Sequence, residues 1–367
     1  MGIFKPIRSS LSVIKKYRYR LVITIAVAWT VIDSVYMLAK HYIFKATSDY
    51  MFFEYREIKT LLLREVLVFL TSYAMAYLLV VRNKKISGNL PMWMSFLIKT
   101  IILIIISFLF NMLFHISYSM WISRLTPIRA LNEFVHDAFF TFWLVQKIPH
   151  WILIFMVTQL VLELIEKYSP GVFADILFGK YLQPRIEKRI VMFMDLKDST
   201  PIAEKLGHKD YFRFIRDFIY YSSIALIEYN GRIYQYVGDE IVVSWKHTPE
   251  NTRKCMDSLI EARKLLQRQS ASFRRKFGIV PEFRAGIHVG EVTVGEIGVI
   301  KKDIAMSGDT MNTTARIRSA CSELNQKFIV SKDFTNELDV KRWQVESLGV
   351  IDLKGKKEGV ELFALKI

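Results

Sequence analysis

Four apolar runs in the first 165 residues decide what this chain can fold into. They cover about 19–39, 61–81, 92–118 and 138–165, each near the ~20 residues that cross a hydrocarbon layer. Lipid offers the main chain no water to bond, so runs of this kind are helices. The expected architecture is an α-helical membrane bundle of four spans over residues 1–165, followed by a water-facing remainder. Composition agrees with that division. Hydrophobic residues make up 52% of the 367 and aromatics 14%, and the excess lies in the first half. The first run is too long for a cleaved leader, and no small-residue cleavage site follows it before Lys40.

The formal net charge is +16, and much of the basic excess flanks the runs, at Lys5, Arg8, Lys15, Lys16, Arg18 and Arg20 and at Arg82, Lys84 and Lys85. This pattern suits the inner face of a lipid bilayer, not a nucleic-acid groove. The N-terminus and the loop after the second span are therefore expected in the cytoplasm. Four spans return the C-terminal half to the same side, which makes a multi-pass protein of the cell membrane. Cys255 and Cys321 both lie in that half and suggest a reducing compartment, not a disulfide framework. Asp33, Arg64, Glu65, Lys99, His115, Lys147 and His150 fall within or close to the runs. Charge in lipid is costly, so these side chains pair across helices, snorkel, or line a site for an unknown ligand. Haem on His115 and His150 is one form of the last alternative.

Residues 166–184 join the halves. Leu160, Leu162, Ile165 and Tyr168 form a short helical stripe, Ser169-Pro170-Gly171 breaks it, and a connector runs on to Pro184. This stretch is either a transducer or a tether.

The chemistry lies further on. Residues 190–194 are a short apolar run compatible with a central strand, and Asp195 ends it. Ser199 or Thr200 is placed to cap a helix whose first position is Pro201. Free N–H groups at such a start suit phosphate. Residues 233–237 and 241–245 flank Gly238-Asp239, a hairpin with glycine at its turn. Each piece delivers one aspartate to a strand end. Carboxylates converging in this way can hold a pair of divalent cations, which chemistry on a triphosphate usually needs. Helices are expected over 201–228, 252–277 and 310–320, and a strand over 281–290. Asn312 and Arg316 are four apart and share one helix face. His288 reads as a packed side chain.

Four blocks occur in order: Phe193-Met194-Asp195-Leu196 with Ser199-Thr200, Val237-Gly238-Asp239, the glycine-rich residues 284–295, and residues 308–316 ending in Arg316. Together they resemble the catalytic domain of class III adenylate and guanylate cyclases, over residues 184–367. The resemblance implies an α+β domain at 185–367 with a ferredoxin-like βαββαβ core. It implies two Mg2+ or Mn2+ ions at Asp195, Leu196 and Asp239, and phosphate contacts from Ser199 and Thr200. Asn312 would orient the ribose and Arg316 would stabilise charge on the α-phosphate. A late-strand lysine, Lys356 or else Lys354, would bind the triphosphate. Gln235 and Ala305 stand at the base-selecting positions. A homodimer is implied, with aspartates from one protomer and the Asn/Arg pair from the other. The reaction would convert ATP or GTP to the 3′,5′-cyclic monophosphate and pyrophosphate.

The chain departs from the family at three points. Gln235 replaces the usual Lys or Glu, Ala305 replaces Asp or Thr, and Asp198 stands where many members have Gly. Gln both donates and accepts, and Ala does neither, so the purine stays open. A catalytically weak nucleotide-binding receptor of the same fold is the alternative. A diguanylate cyclase lacks support from residues 308–316.

Overall fold

The computed structural model describes residues 13–42, 58–82, 90–121, 123–167, 172–300, 302–338, 343–353, 356 and 358–366. The chain divides into two units at about residue 167. The first holds α1 (Val13–Tyr42), α2 (Ile58–Val81), α3 (Met92–Trp121), α4 (Pro127–Phe140) and α5 (Trp143–Lys167). Among these, α1, α2, α3 and α5 are long and apolar enough to cross a membrane.

One boundary differs from expectation. The run at 138–165 is not a single helix, because Thr141 is extended (φ −120°, ψ 176°) and the last span begins at Trp143. The Thr141 hydroxyl donates back to the Asp137 carbonyl and accepts from Trp143 N at 3.2 Å. A side chain that bonds locally in this way competes with the helix ladder. The preceding α4 buries Ala130, Phe134 and Ala138 and exposes Ile128, Phe139 and Phe140.

Several polar side chains within the bundle pair with one another, most of them across helices. Arg64 on α2 pairs with Asp33 on α1 and, at 2.6 Å, with Glu65. Ser34 donates to Glu65 at 2.6 Å. Trp29 Nε1 donates to Thr158 at 2.9 Å, tying α1 to α5, and Gln159 donates to Thr100 at 2.9 Å, tying α5 to α3. His115 packs on Phe134 and His150 on Tyr36. Lys5, Arg8, Lys84, Lys85 and the break at 169–171 lie outside the described residues.

The second unit contains α6 (Val172–Leu177), β1 (Arg185–Leu196), α7 (Ser199–Glu228), β2 (Arg232–Val237), β3 (Glu240–Lys246), α8 (Pro249–Arg268) and α9 (Ser270–Phe277). It continues through β4 (Phe283–Ile297), β5 (Asp303–Ser307), α10 (Asp309–Glu323), β6 (Phe328–Ser331), α11 (Lys332–Thr335), β7 (Gln344–Ile351) and β8 (Val360–Lys366). Residues 252–277, expected as one helix, split at Gln269 into α8 and α9. The sheet order is β2-β3-β1-β4-β6-β8-β7, with β5 on β4. The first four strands, all antiparallel, form the ferredoxin-like core.

Alternation along β1 sorts its side chains between two layers. Ile190, Met192, Met194 and Leu196 enter the core with Phe214, Phe218 and Leu259 of α7 and α8. Val191, Phe193 and Asp195 therefore face the other side, the side covered by α10. Glycine brings α10 down onto β4. A Cβ on Gly286 would lie 2.4 Å from Arg318 N and 2.8 Å from Arg318 Cα, and one on Gly290 would lie 2.5 Å from Thr310 Oγ1. The atoms above Gly286 are backbone, so the helix itself would have to rise. Gly286→Ala is therefore expected to destabilise the second unit by about 2 kcal/mol. A fall in its thermal midpoint checks this, and an unchanged midpoint would show that α10 is not held by this contact.

Candidate active site

Asp195 stands one residue from the end of β1, on the α10 side. Glu240 opens β3, one step beyond the Met194↔Ile241 pair, and so lies across from Asp195. Asp239 precedes it in the β2–β3 turn, where Gly238 takes the left-handed corner at φ +62°. Three carboxylates thus gather at one end of two strands. Burial pushes the Asp195 carboxyl up to about 6; Arg318 opposes the rise, and Asp239 and Glu240 add to it. Burial also raises Glu240, again against Arg318.

Arg318 supplies the local positive charge. Its Nη1 lies 3.5 Å from Asp195 Oδ2 and its Nε 2.6 Å from Glu240 Oε2. The second contact is an ion pair without hydrogen-bond alignment, since neither atom has a hydrogen-bond partner. Asp239 Oδ2 is also buried without one. One guanidinium for three carboxylates leaves the cluster short of positive charge. Among the described residues no three His, Cys, Asp or Glu side chains form a closed metal cage. Mg2+ does not need one, because one or two carboxylates with waters and substrate phosphates suffice. The orphaned Asp239 oxygen and the crowded Asp195 fit such a cation.

The neighbouring residues fall into separate groups. The cap expected from Ser199 or Thr200 is not made. Asp198 precedes α7 at φ 57° without a side-chain cap bond, and Ser199 is already helical. That left-handed corner explains why glycine suits this position, and Asp is among the residues that tolerate it. Tyr211 reaches back from α7 to Ser199, and its hydroxyl pKa is raised by burial and then by Asp239. Thr200 is exposed, and Leu196 is buried toward α7 and α8. Gln235 is exposed on β2, just after a register shift, and Ala305 sits on β5 opposite Gly295. Tyr234 Oη accepts from Met306 N at 3.1 Å, so the neighbours of Gln235 and Ala305 are joined.

Asn312 is exposed on α10 and Arg316 is half-buried. Arg318, two residues past Arg316, lies on roughly the opposite side of the helix. It is Arg318 that meets Asp195. Lys356 pairs with Asp309 at 2.9 Å, and Lys354 lies outside the described residues. His288 is buried against Ser331 at 2.8 Å, as a packed side chain. Arg318, Glu240, Tyr211 and Tyr234 were not read as site residues from the sequence. Only Glu240, beside Asp239, carried a local signal.

An antiparallel ferredoxin-like core, extended past β4, with acidic side chains converging beyond β1 and the β2–β3 turn, defines a class III nucleotide cyclase domain. The adenylate and guanylate cyclase catalytic domain family matches residues 182–366, half of the chain, and the chain belongs to that family. The family generally uses divalent metal ions. Adenylate cyclase 2 of Rhizobium meliloti (strain 1021) is 30% identical over 207 residues, 56% of this chain and 57% of that protein. An adenylate cyclase of Anabaena cylindrica is 22% identical over 224 residues, 56% of this chain and 43% of that protein. The chain thus spans about half the length of these curated relatives. The fold is shared with a bacterial light-regulated adenylyl cyclase, at 18% identity and a TM-score of 0.53, covering 61% of this chain and 65% of that one.

The Asp195 shift sets a pH dependence. Its folded value of about 6 lies above the reference of 3.8, so its stabilising contribution is complete below about 3.8 and lost as pH rises through about 6. In chelator, the unfolding midpoint of the second unit is expected to fall across that window. Asp195→Asn is expected to flatten the fall, and an unaltered pH profile in that variant would contradict the shift.

Proposed function

We propose that this chain is a membrane-anchored nucleotidyl cyclase working as a homodimer. It would close ATP, or GTP, to the 3′,5′-cyclic monophosphate. The Asp195–Asp239 pair carries the reading, as an acidic, half-buried site short of positive charge. In the reaction the ribose 3′-oxygen forms a bond to the α-phosphorus and gives up its proton. The bond from that phosphorus to the bridging oxygen breaks, and pyrophosphate leaves. Two Mg2+ or Mn2+ ions, held by Asp195, Asp239 and the main-chain carbonyl of Leu196, would supply Lewis acidity toward the 3′-hydroxyl and the triphosphate.

The chain's own side chains do the rest. Ser199 and Thr200 stand at the start of α7, whose free N–H groups favour phosphate oxygens. Lys356 exchanges Asp309 for the triphosphate. Asn312 orients the ribose, and Arg316 neutralises charge growing on the transferring phosphoryl group. Gln235 and Ala305 face the purine. The relatives named adenylate cyclase favour ATP.

The helix geometry favours shared sites. Within one chain Arg318, not Arg316, turns to Asp195, so the Asn312/Arg316 face is free to serve a second copy. Basic residues at the inner ends of the runs favour an inward N-terminus and catalytic unit, where nucleotide is available. The alternative is a nucleotide-binding receptor without turnover, which Ala305 favours because its side chain cannot bond a base edge.

Purified full-length protein with Mn2+ and ATP or GTP is expected to release the cyclic mononucleotide; binding without product would support the receptor. Asp195→Ala and Arg316→Ala are each expected to lower turnover at least about a hundredfold. Co-expressed, they are expected to regain roughly a quarter of the unsubstituted rate, because half of the randomly mixed dimers carry one intact site of two. No recovery, with mixed dimers shown to form, would argue against sharing.

A further inference from the structure

Arg318 takes no part in the reaction above, yet its position is enforced. Gly286 has no side chain to hold α10 away, and the Arg318 backbone sits directly over it. The guanidinium then spans two carboxylates, Nη1 at 3.5 Å from Asp195 and Nε at 2.6 Å from Glu240. Among the described residues it is the one base in ion-pair contact with either. Its side chain is 28% exposed and that of Glu240 11%, so the contact is only partly screened. Asp239 Oδ2 is left without a partner.

We infer that Arg318 is a resident counter-cation. It holds Asp195 and Glu240 against their repulsion in the cation-free protein, and it competes with the divalent cation for Asp195. Asp195 gives its Oδ2 to a cation only by releasing Arg318, and the guanidinium then falls back on Glu240, where its shorter contact already lies. Glu240 is thus a positioning residue that receives the displaced arginine. This rests on the cation site proposed for Asp195 and Asp239, and the test separates the two.

Mn2+ alone is titrated into full-length protein in detergent, with free Mn2+ read by electron paramagnetic resonance. The unfolding midpoint is measured in chelator. If the unsubstituted protein binds no Mn2+ that Asp195→Asn abolishes, the site reading fails and this inference with it. Given that binding, Arg318→Gln is expected to bind Mn2+ about two- to fivefold more tightly, the range of a partly exposed ion pair. Its midpoint in chelator is expected to fall. Arg318→Lys is expected to shift both in the same directions by less, and it carries the test if Arg318→Gln does not fold. Arg284 is the control, since it lies across from Asp195 but donates to Ser322 at 2.8 Å. Unchanged or weaker Mn2+ binding in the Arg318 variants, or equal tightening in Arg284→Gln, would overturn the inference.

Discussion

Like charges held together in a half-buried place repel, and the second unit is built around such a group. Asp195, Asp239 and Glu240 cannot spread apart, because β1 and β3 are hydrogen-bonded in register and Gly238 turns the chain just before Asp239 and Glu240. Burying a carboxylate without a counter-charge costs several kcal/mol in effective terms. The structure meets that cost only in part. Burial raises Asp195 to about 6, Arg318 answers two carboxylates, and one Asp239 oxygen is left over. Such a deficit at the strand ends costs stability and is what the proposed cation would relieve.

The deficit also explains the tight seam between α10 and β4. Gly286 and Gly290 let the helix down onto the strand, and that descent brings Arg318 within reach of β1. The same helix turns Arg316 to roughly its other side. Two arginines of one short motif thereby point to different sides, and only Arg318 meets its own chain's carboxylates.

Much of this was legible in order along the chain. The apolar run over residues 190–194 marked β1, and glycine at 238 marked the hairpin, because both signals are local. The four apolar runs were legible from length alone. The start of the fourth was not, because Thr141 breaks the helix with a hydroxyl that apolarity cannot register. Ser199 looked like a helix cap, yet the chain turns left-handed at Asp198 and the helix starts without one. Arg318 was invisible for another reason. Its role comes from a glycine 32 positions earlier and a strand further still, and no spacing rule links them. Tyr234, reaching Met306 across the unit, is hidden in the same way.

One arrangement underlies the proposed activity: a cation between the carboxylates of one copy, completed by α10 of another. Crystals grown with Mn2+ and a non-cyclisable ATP analogue, measured at the manganese absorption edge, would place the metal directly. Anomalous peaks are expected against Asp195 and Asp239 of one protomer, with Asn312 and Arg316 of its partner at the ribose and α-phosphate. Manganese away from both aspartates, or a nucleotide gripped by all four residues of a single chain, would contradict it.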